Sequence, residues 1–213
     1  MFYDGILFDL DGTLWDSCEG VAGSWNLTLE RLFGRPGGFR ASDVQAIMGM
    51  TEAQIADRLF ASYGEEAAAV CRRCLLEEPP YLLWHGARLY PGIAALLREL
   101  SAHVPLFIVS NCQSGYIESF LDWADLRSCF TDTRCEGGAG CSKSENIRLL
   151  CRAYALSRPV YVGDTLMDER AAAEAGCPFI HVTYGFGSAQ APAAVADSPA
   201  ALRELLLEGE NHA

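Results

Sequence analysis

The sequence FDLDGTLWDS, residues 8–17, places Asp9 and Asp11 directly after the short apolar run GILF. A short apolar run without polar alternation predicts a strand that is buried on both faces of a sheet. Because side chains alternate along a strand, both carboxylates are expected on the same side of its end. Two neighbouring carboxylates can divide the work of nucleophile and acid–base catalyst if their surroundings separate their pKa values. Such a pair also needs a nearby cation or a shared proton.

Three more apolar runs follow along the chain, and helical patterns separate them. The runs cover residues 104–109, 159–163 and 178–184, and the helical patterns cover 91–101, 114–123, 143–155 and 166–176. This alternation predicts an α/β fold with a doubly wound parallel sheet. Ligands bind beyond the carboxyl ends of such strands. Asp9 and Asp11, Ser110 and Asn111, and Asp164 all follow predicted strands, so we expect them to converge on one site.

The segment between the first two runs shows helical patterns and no convincing strand. The patterns cover residues 17–33, 42–48, 52–62 and 65–77. Asp16 is expected to cap the first helix, and the prolines of EEPPY, residues 77–81, are expected to end the last one. We therefore predict a helical cap domain over residues 16–85, inserted into an α/β core domain of residues 1–15 and 86–213. Residues 186–198 read as a loop before a final helix at 199–208.

Composition limits the partners. The chain has 213 residues and a formal net charge of −12, which disfavours nucleic acid and anionic membranes as partners through its overall field. The N-terminus lacks the pattern of a signal peptide, and no stretch approaches the ~18 apolar residues of a membrane span. A cytoplasmic location is expected, with the nine cysteines reduced. The expected partner is a small phosphorylated metabolite, and the expected assembly is a monomer or a homodimer.

The motifs resemble those of the haloacid dehalogenase-like (HAD) hydrolase superfamily. FDLDGTLWDS is similar to the first motif of its phosphohydrolases, Ser110-Asn111 to the second, Lys143 to the third, and Gly163–Asp168 (GDTLMD) to the fourth. A helical insert directly after the first motif resembles the helical-cap (C1) class. Residues 171–187 are similar to the tail of the phosphoglycolate phosphatase-like branch.

The resemblance implies a role for each matching residue in a Mg²⁺-dependent phosphatase acting on small soluble phosphomonoesters. Asp9 would be the nucleophile that forms an aspartyl-phosphate, and Asp11 the general acid and then the general base. The implied Mg²⁺ ligands are Asp9, Asp164 and the backbone carbonyl of Asp11. Asp168 would support a metal-bound water or Lys143, and the implied phosphate-binding residues are Ser110, Asn111 and Lys143.

A few residues distinguish the alternative functions within the superfamily. A phosphonatase needs a lysine in the cap, and residues 16–84 contain none. An intramolecular sugar phosphomutase similar to β-phosphoglucomutase stays open, because IMGMTEAQI, residues 47–55, resembles a cap loop of such enzymes. These mutases typically carry arginine where this chain has Glu52, which favours hydrolysis. Gly49, Met50 and Thr51 in this loop are candidate specificity residues. A non-catalytic ligand-binding protein on the same fold is the third hypothesis.

Overall fold

The computed structural model describes residues 2–34 and 37–208. A sheet of six parallel strands forms its centre, in the order β5-β4-β1-β6-β7-β8. These strands are β1 (Gly5–Phe8), β4 (Leu106–Ser110), β5 (Asp132–Cys135), β6 (Pro159–Gly163), β7 (Phe179–Val182) and β8 (Ala194–Ala196). The prediction of a doubly wound parallel sheet is confirmed.

Each central strand is apolar on both faces because helices cover both sides of the sheet. In β1, Ile6 and Phe8 pack into one hydrophobic cluster, and Leu7 packs into the cluster on the opposite face. The covering helices are α5 (Ile93–Ser101), α6 (Tyr116–Trp123), α8 (Lys143–Ala153), α9 (Leu166–Ala175) and α10 (Pro199–Glu208), with a short α7 (Glu136–Ala139) before α8. The predicted helices of this region agree with these bounds to within a few residues.

The chain between β1 and α5 is helical, with one short ribbon at its base. Its helices are α1 (Cys18–Phe33), α2 (Ala41–Gln45), α3 (Glu52–Leu59), a 3₁₀ helix (Ala61–Glu66) and α4 (Ala67–His85). β2 (Trp15–Asp16) enters this segment and pairs antiparallel with β3 (Arg88–Leu89), which leaves it. The predicted boundary of a separate domain at residues 16–85 stays a prediction.

The side chain of Asp16 accepts the first N–H of α1, since the Cys18 N–H donates to Asp16 Oδ1 at 3.1 Å. The residue before α1 is Ser17, whose side chain makes no capping bond. Asp16 belongs to β2, where Arg88 Nη2 donates to its Oδ2 at 2.7 Å across the ribbon. The two oxygens of Asp16 therefore serve both the start of α1, as the sequence predicted, and the ribbon, which it did not predict.

The prediction that prolines end the fourth helix is wrong, because α4 continues through Pro79 and Pro80 to His85. Pro79 has no N–H to donate to the carbonyl of Leu75, four residues earlier. Gln113 Nε2, from the loop before α6, donates to that carbonyl at 2.8 Å instead. A contact between distant parts of the chain therefore supplies the bond that the proline removes.

Besides β2 and β3 of the ribbon, two strands of the central sheet were not predicted, β5 at one edge and β8 at the other. β5 (DTRC) is polar and only half-buried, and β8 has three residues within the segment predicted as loop.

In the described part of the chain, no helix is long and apolar enough to cross a membrane. The nine cysteines, all within the described residues, form no disulfide bond.

Candidate active site

The carboxyl ends of three adjacent strands meet at one edge of the sheet. β1 pairs with β4 on one side and with β6 on the other. Asp9 follows β1, Ser110 ends β4, and Asp164 follows β6. The predicted convergence is therefore present, and all three residues are buried.

Lys143, the first residue of α8, joins two of the buried carboxylates. Its Nζ donates to Asp9 Oδ1 at 2.8 Å and to Asp168 Oδ1 at 2.6 Å. Burial opposes the charge of the ammonium, but the carboxylates of Asp168 and Asp9 hold the pKa of Lys143 well above its usual value. Lys143 is therefore a fixed cation at the edge of the sheet.

Asp168 is held on both of its oxygens. Oδ1 accepts from Lys143, and Oδ2 accepts from the backbone N–H of Thr165 at 3.0 Å and from its hydroxyl at 2.6 Å. Thr165 Oγ1 in turn accepts from the Asp168 N–H, which completes a capping box at the start of α9. With both oxygens engaged, Asp168 positions Lys143.

Asp9, Asp164 and Asp168 form a cluster that fits a divalent cation. One carboxylate oxygen from each lies within 4.8 Å of the others. Burial and the Asp168 charge raise the pKa of Asp9 well above its usual value and that of Asp164 to about 7. Lys143 is the only cation bonded to this cluster among the described residues, so the three carboxylates carry excess negative charge.

Asp164 has an oxygen available for such a cation. Its Oδ2 accepts from the Phe186 N–H at 2.7 Å, whereas its buried Oδ1 has no hydrogen-bond partner among the described residues. Oxygen ligands of this kind suit Mg²⁺, which binds through one or two carboxylates. Asp9 and Asp164 are therefore the carboxylates able to bind the metal. The Asp11 carboxylate lies outside this cluster.

Gly12 allows the turn after β1 to approach Asp164. Its φ is +81°, a conformation that favours glycine, and a Cβ at this position would overlap Asp164 Oδ2. The backbone of the FDLDGT motif can therefore lie directly against the carboxylate that follows β6.

Asp11 has a different environment from Asp9, without a cation bonded to it among the described residues. Its Oδ1 accepts from Trp15 Nε1 at 2.9 Å, Ser17 Oγ at 2.5 Å and Tyr116 Oη at 2.9 Å. Burial raises the pKa of Asp11, although these three donors act against the shift. The three donors all engage Oδ1, and Asp11 lines the same cavity as Asp9.

Two of these donors lie within FDLDGTLWDS, and only Tyr116 lies outside the four motifs. Trp15 and Ser17 lie close to Asp11 in sequence, within the turn and ribbon that follow β1. Tyr116 starts α6 and is 105 residues away from Asp11, so no local pattern points to it.

A cavity of about 190 Å³ separates these residues from the helical segment. Ser110, Asn111 and Lys143, predicted to bind phosphate, line it together with Asp9 and Asp11. From the helical segment, Gly49 and Met50 of the candidate specificity residues line it. Asn111 Nδ2 donates to the Gly49 carbonyl at 2.9 Å, which ties this loop to the edge of the sheet. Thr51 precedes α3 and bonds to Gln54 instead.

Glu78 of α4 is a buried cavity residue that the motifs did not indicate. Trp25 Nε1 donates to its Oε1, and Gln113 Nε2 donates to its Oε2 at 2.6 Å. Burial raises the pKa of Glu78 to about 8, although both donors act against the shift.

Comparison with known proteins identifies the family. The model of the haloacid dehalogenase-like hydrolase family matches residues 6–182, so the chain belongs to this family and the prediction of a hydrolase is confirmed. Phosphoglycolate phosphatase from Caulobacter vibrioides is 27% identical over 191 residues, covering 85% of this chain and 79% of the relative. Phosphoglycolate phosphatase from Escherichia coli O157:H7 is 28% identical over 213 residues, covering 88% and 84%.

Solved structures agree with the fold. A predicted phosphoglycolate phosphatase from Haemophilus somnus 129PT superposes with a TM-score of 0.82 at 22% identity, covering 97% of this chain and 99% of that chain. The resemblance to the phosphoglycolate phosphatase-like branch is thus confirmed by the relatives and their fold together.

Proposed function

We propose that this haloacid dehalogenase-like hydrolase is a Mg²⁺-dependent phosphatase that cleaves a small phosphomonoester through an aspartyl-phosphate. The observation that carries the proposal is the contrast between two carboxylates at one strand end. Asp9 lies against Lys143 and other buried carboxylates, whereas Asp11 is held by three neutral donors. Environments that differ in this way give two carboxyl groups separate chemical roles.

In the proposed first step, an Asp9 carboxylate oxygen attacks phosphorus and the bond to the leaving oxygen breaks. Asp11 Oδ2 gives its proton to that oxygen, which leaves as an alcohol. In the second step Asp11 takes a proton from water, the water oxygen bonds to phosphorus, and the bond to Asp9 breaks to release inorganic phosphate. Asp11 ends the cycle protonated, as it began.

The remaining residues bind and neutralise the phosphoryl group. Lys143, Ser110 and Asn111 line the cavity beside Asp9, where cations and donors stabilise the charge on the phosphoryl oxygens. Asp9, Asp164 and the Asp11 backbone carbonyl would hold Mg²⁺, which supplies positive charge to the same oxygens when bound. Asp168 keeps Lys143 in place.

We also propose that residues 16–85 act as a cap over this site. The apolar wall that α1 to α4 present to the cavity would exclude water when closed, and substrate and product exchange would need this wall to move.

A phosphate-release screen over small phosphomonoesters tests the function. We expect release with Mg²⁺ and its loss when a chelator replaces Mg²⁺, with activity restored by added Mg²⁺. Failure of the folded protein to release phosphate from any ester would contradict the hydrolase proposal. Interconversion of sugar phosphates without net phosphate release would instead favour the mutase.

The variant Tyr116→Phe is expected to lower kcat about 3- to 10-fold and to leave KM within about twofold. It removes one of three donors to Asp11 Oδ1, and one hydrogen bond contributes about 1 kcal/mol. Steady-state rates measure this. Tyr154→Phe, which removes a hydroxyl bond to Asp132 on β5, is the matched control and should leave both constants unchanged. An unchanged kcat in Tyr116→Phe would contradict this positioning role.

A further inference from the structure

The wall of the cavity opposite Asp9 is largely apolar. The side chains that α1, α2, α3 and α4 and the loop after α2 contribute include Val21, Trp25, Val44, Ile47, Ile55 and Leu75. At about 190 Å³ the cavity is smaller than the ~300–1,000 Å³ typical of ligand pockets. A substrate that places its phosphoryl group beside Asp9 therefore has room only for a compact leaving group, and that group meets apolar side chains.

The charged residues on the wall are unfavourable for a second anion. Three glutamates line the cavity, Glu52, Glu78 and Glu136, whereas Lys143 is the only cation that lines it within the described residues. Lys143 is already bonded to Asp9 and Asp168. A carboxylate or second phosphate on the leaving group would lose its water without gaining a cation, which is costly.

Glu52 does not bring a cation into the cavity. It pairs with Arg72, but the Arg72 side chain is 69% exposed and does not line the wall. The ion pair therefore satisfies Glu52 from the solvent side of α4.

Glu78 offers an acceptor that neither proposed step uses. Its two oxygens accept from Trp25 and Gln113, which are neutral donors, and no cation is bonded to it among the described residues. With a pKa of about 8, Glu78 is a carboxylate mainly above that pH, and a carboxylate has about four lone-pair positions, of which two stay available. Gln113 also lines the cavity and donates to the Leu75 carbonyl that Pro79 leaves free, which fixes the amide that bonds to Glu78.

We propose that the preferred substrate is the phosphomonoester of a small alcohol without negative charge, which packs an apolar body against the far wall and donates a hydrogen bond to Glu78. This inference rests on the proposed phosphatase function. It separates this chain from an enzyme for phosphoglycolate, whose leaving group, glycolate, departs through its hydroxyl oxygen and carries a carboxylate. The donor is a hydroxyl or an ammonium group, and the two share the chemistry that Glu78 recognises.

A series of three-carbon esters tests the inference in the full-length protein with Mg²⁺, at a pH of about 9 where Glu78 is ionised. The esters are the monophosphates of propan-1-ol, propane-1,3-diol, 3-aminopropan-1-ol and 3-hydroxypropanoate, which differ only at the far end. We expect kcat/KM for the diol or amino alcohol ester to exceed that for the propyl ester by about tenfold or more. The carboxylate ester should fall about tenfold or more below the propyl ester. Whichever of these two esters has the higher kcat/KM shows whether the preferred substrate carries a hydroxyl or an ammonium group at its far end.

The variant Glu78→Gln should lower the ratio of kcat/KM between donor and propyl esters, because a neutral amide oxygen accepts a weaker hydrogen bond than a carboxylate. The matched control is Glu77→Gln, which removes the neighbouring charge on α4, paired with Arg31 and Arg73 away from the cavity wall. It should preserve the ratio. Melting temperatures establish that both variants fold, and the ester series in the unaltered protein does not depend on them.

A carboxylate ester cleaved as well as the propyl ester, or donor esters no better than it, would overturn the inference. Activity on p-nitrophenyl phosphate would then show that the phosphatase proposal survives. Absence of activity on that ester and on the whole series would overturn the phosphatase proposal itself.

Discussion

The variant Asp9→Asn is expected to release phosphate at least about 10⁴-fold more slowly than the unaltered protein, because an amide cannot form the acyl phosphate. The substitution keeps the shape of the side chain and leaves an amide oxygen that can accept from Lys143. It also removes one of three crowded carboxylates. Burial and Asp168 already raise the pKa of Asp9, so stability without metal should not fall.

Rates of phosphate release and melting temperatures measured on the same preparations test this. Asp132→Asn changes a carboxylate at the amino end of β5, away from the carboxyl edge of the sheet, and should keep full activity. Mass spectrometry of the intact chain after a rapid acid quench should detect a phosphorylated species in the unaltered protein and none in Asp9→Asn. More than about 1% residual activity in a folded Asp9→Asn variant would exclude Asp9 as the nucleophile.

Sequence patterns predicted the central strands because these strands are buried on both faces. β1, β4 and β6 lie between two layers of helices, so their apolar runs are continuous. The edge strand β5 has one free side and a polar sequence, so it gives no such signal. In the same way, α4 passes Pro79 because Gln113 completes its hydrogen bonding, and this partner lies 38 residues from Leu75.

The residues of the candidate site also differ in whether the sequence predicts their positions. Asp9, Asp164 and Lys143 lie at strand ends or at a helix start, where topology alone brings them together. Tyr116 and Glu78 lie on helices that line the cavity. The sequence patterns of these helices predict a buried face but not which polar side chain on it contacts the site. The positions of their polar atoms depend on how α4, α6 and the turn after β1 pack together. A single sequence does not reveal this packing.

The variant Asp11→Asn is expected to cleave alkyl phosphates about 10²–10⁴-fold more slowly, the usual contribution of a general acid. The amide oxygen can still accept from Trp15, Ser17 and Tyr116, so the local geometry should persist. The amide nitrogen then replaces the oxygen that would carry the proton towards the leaving group.

The ester p-nitrophenyl phosphate separates this role of Asp11 from simple damage to the site, because p-nitrophenolate leaves without a proton. In Asp11→Asn the rate of the first turnover of this ester should stay within about tenfold of that of the unaltered protein. The first-turnover rate of the alkyl ester should instead fall by the full ~10²–10⁴-fold. The second step still lacks its base, so stopped-flow traces should show a burst of p-nitrophenolate matching the enzyme concentration, followed by slow turnover. Asp16→Asn, which alters the neighbouring carboxylate paired with Arg88, should show no burst. Equal losses for the aryl and alkyl esters in the first turnover would exclude Asp11 as the proton donor.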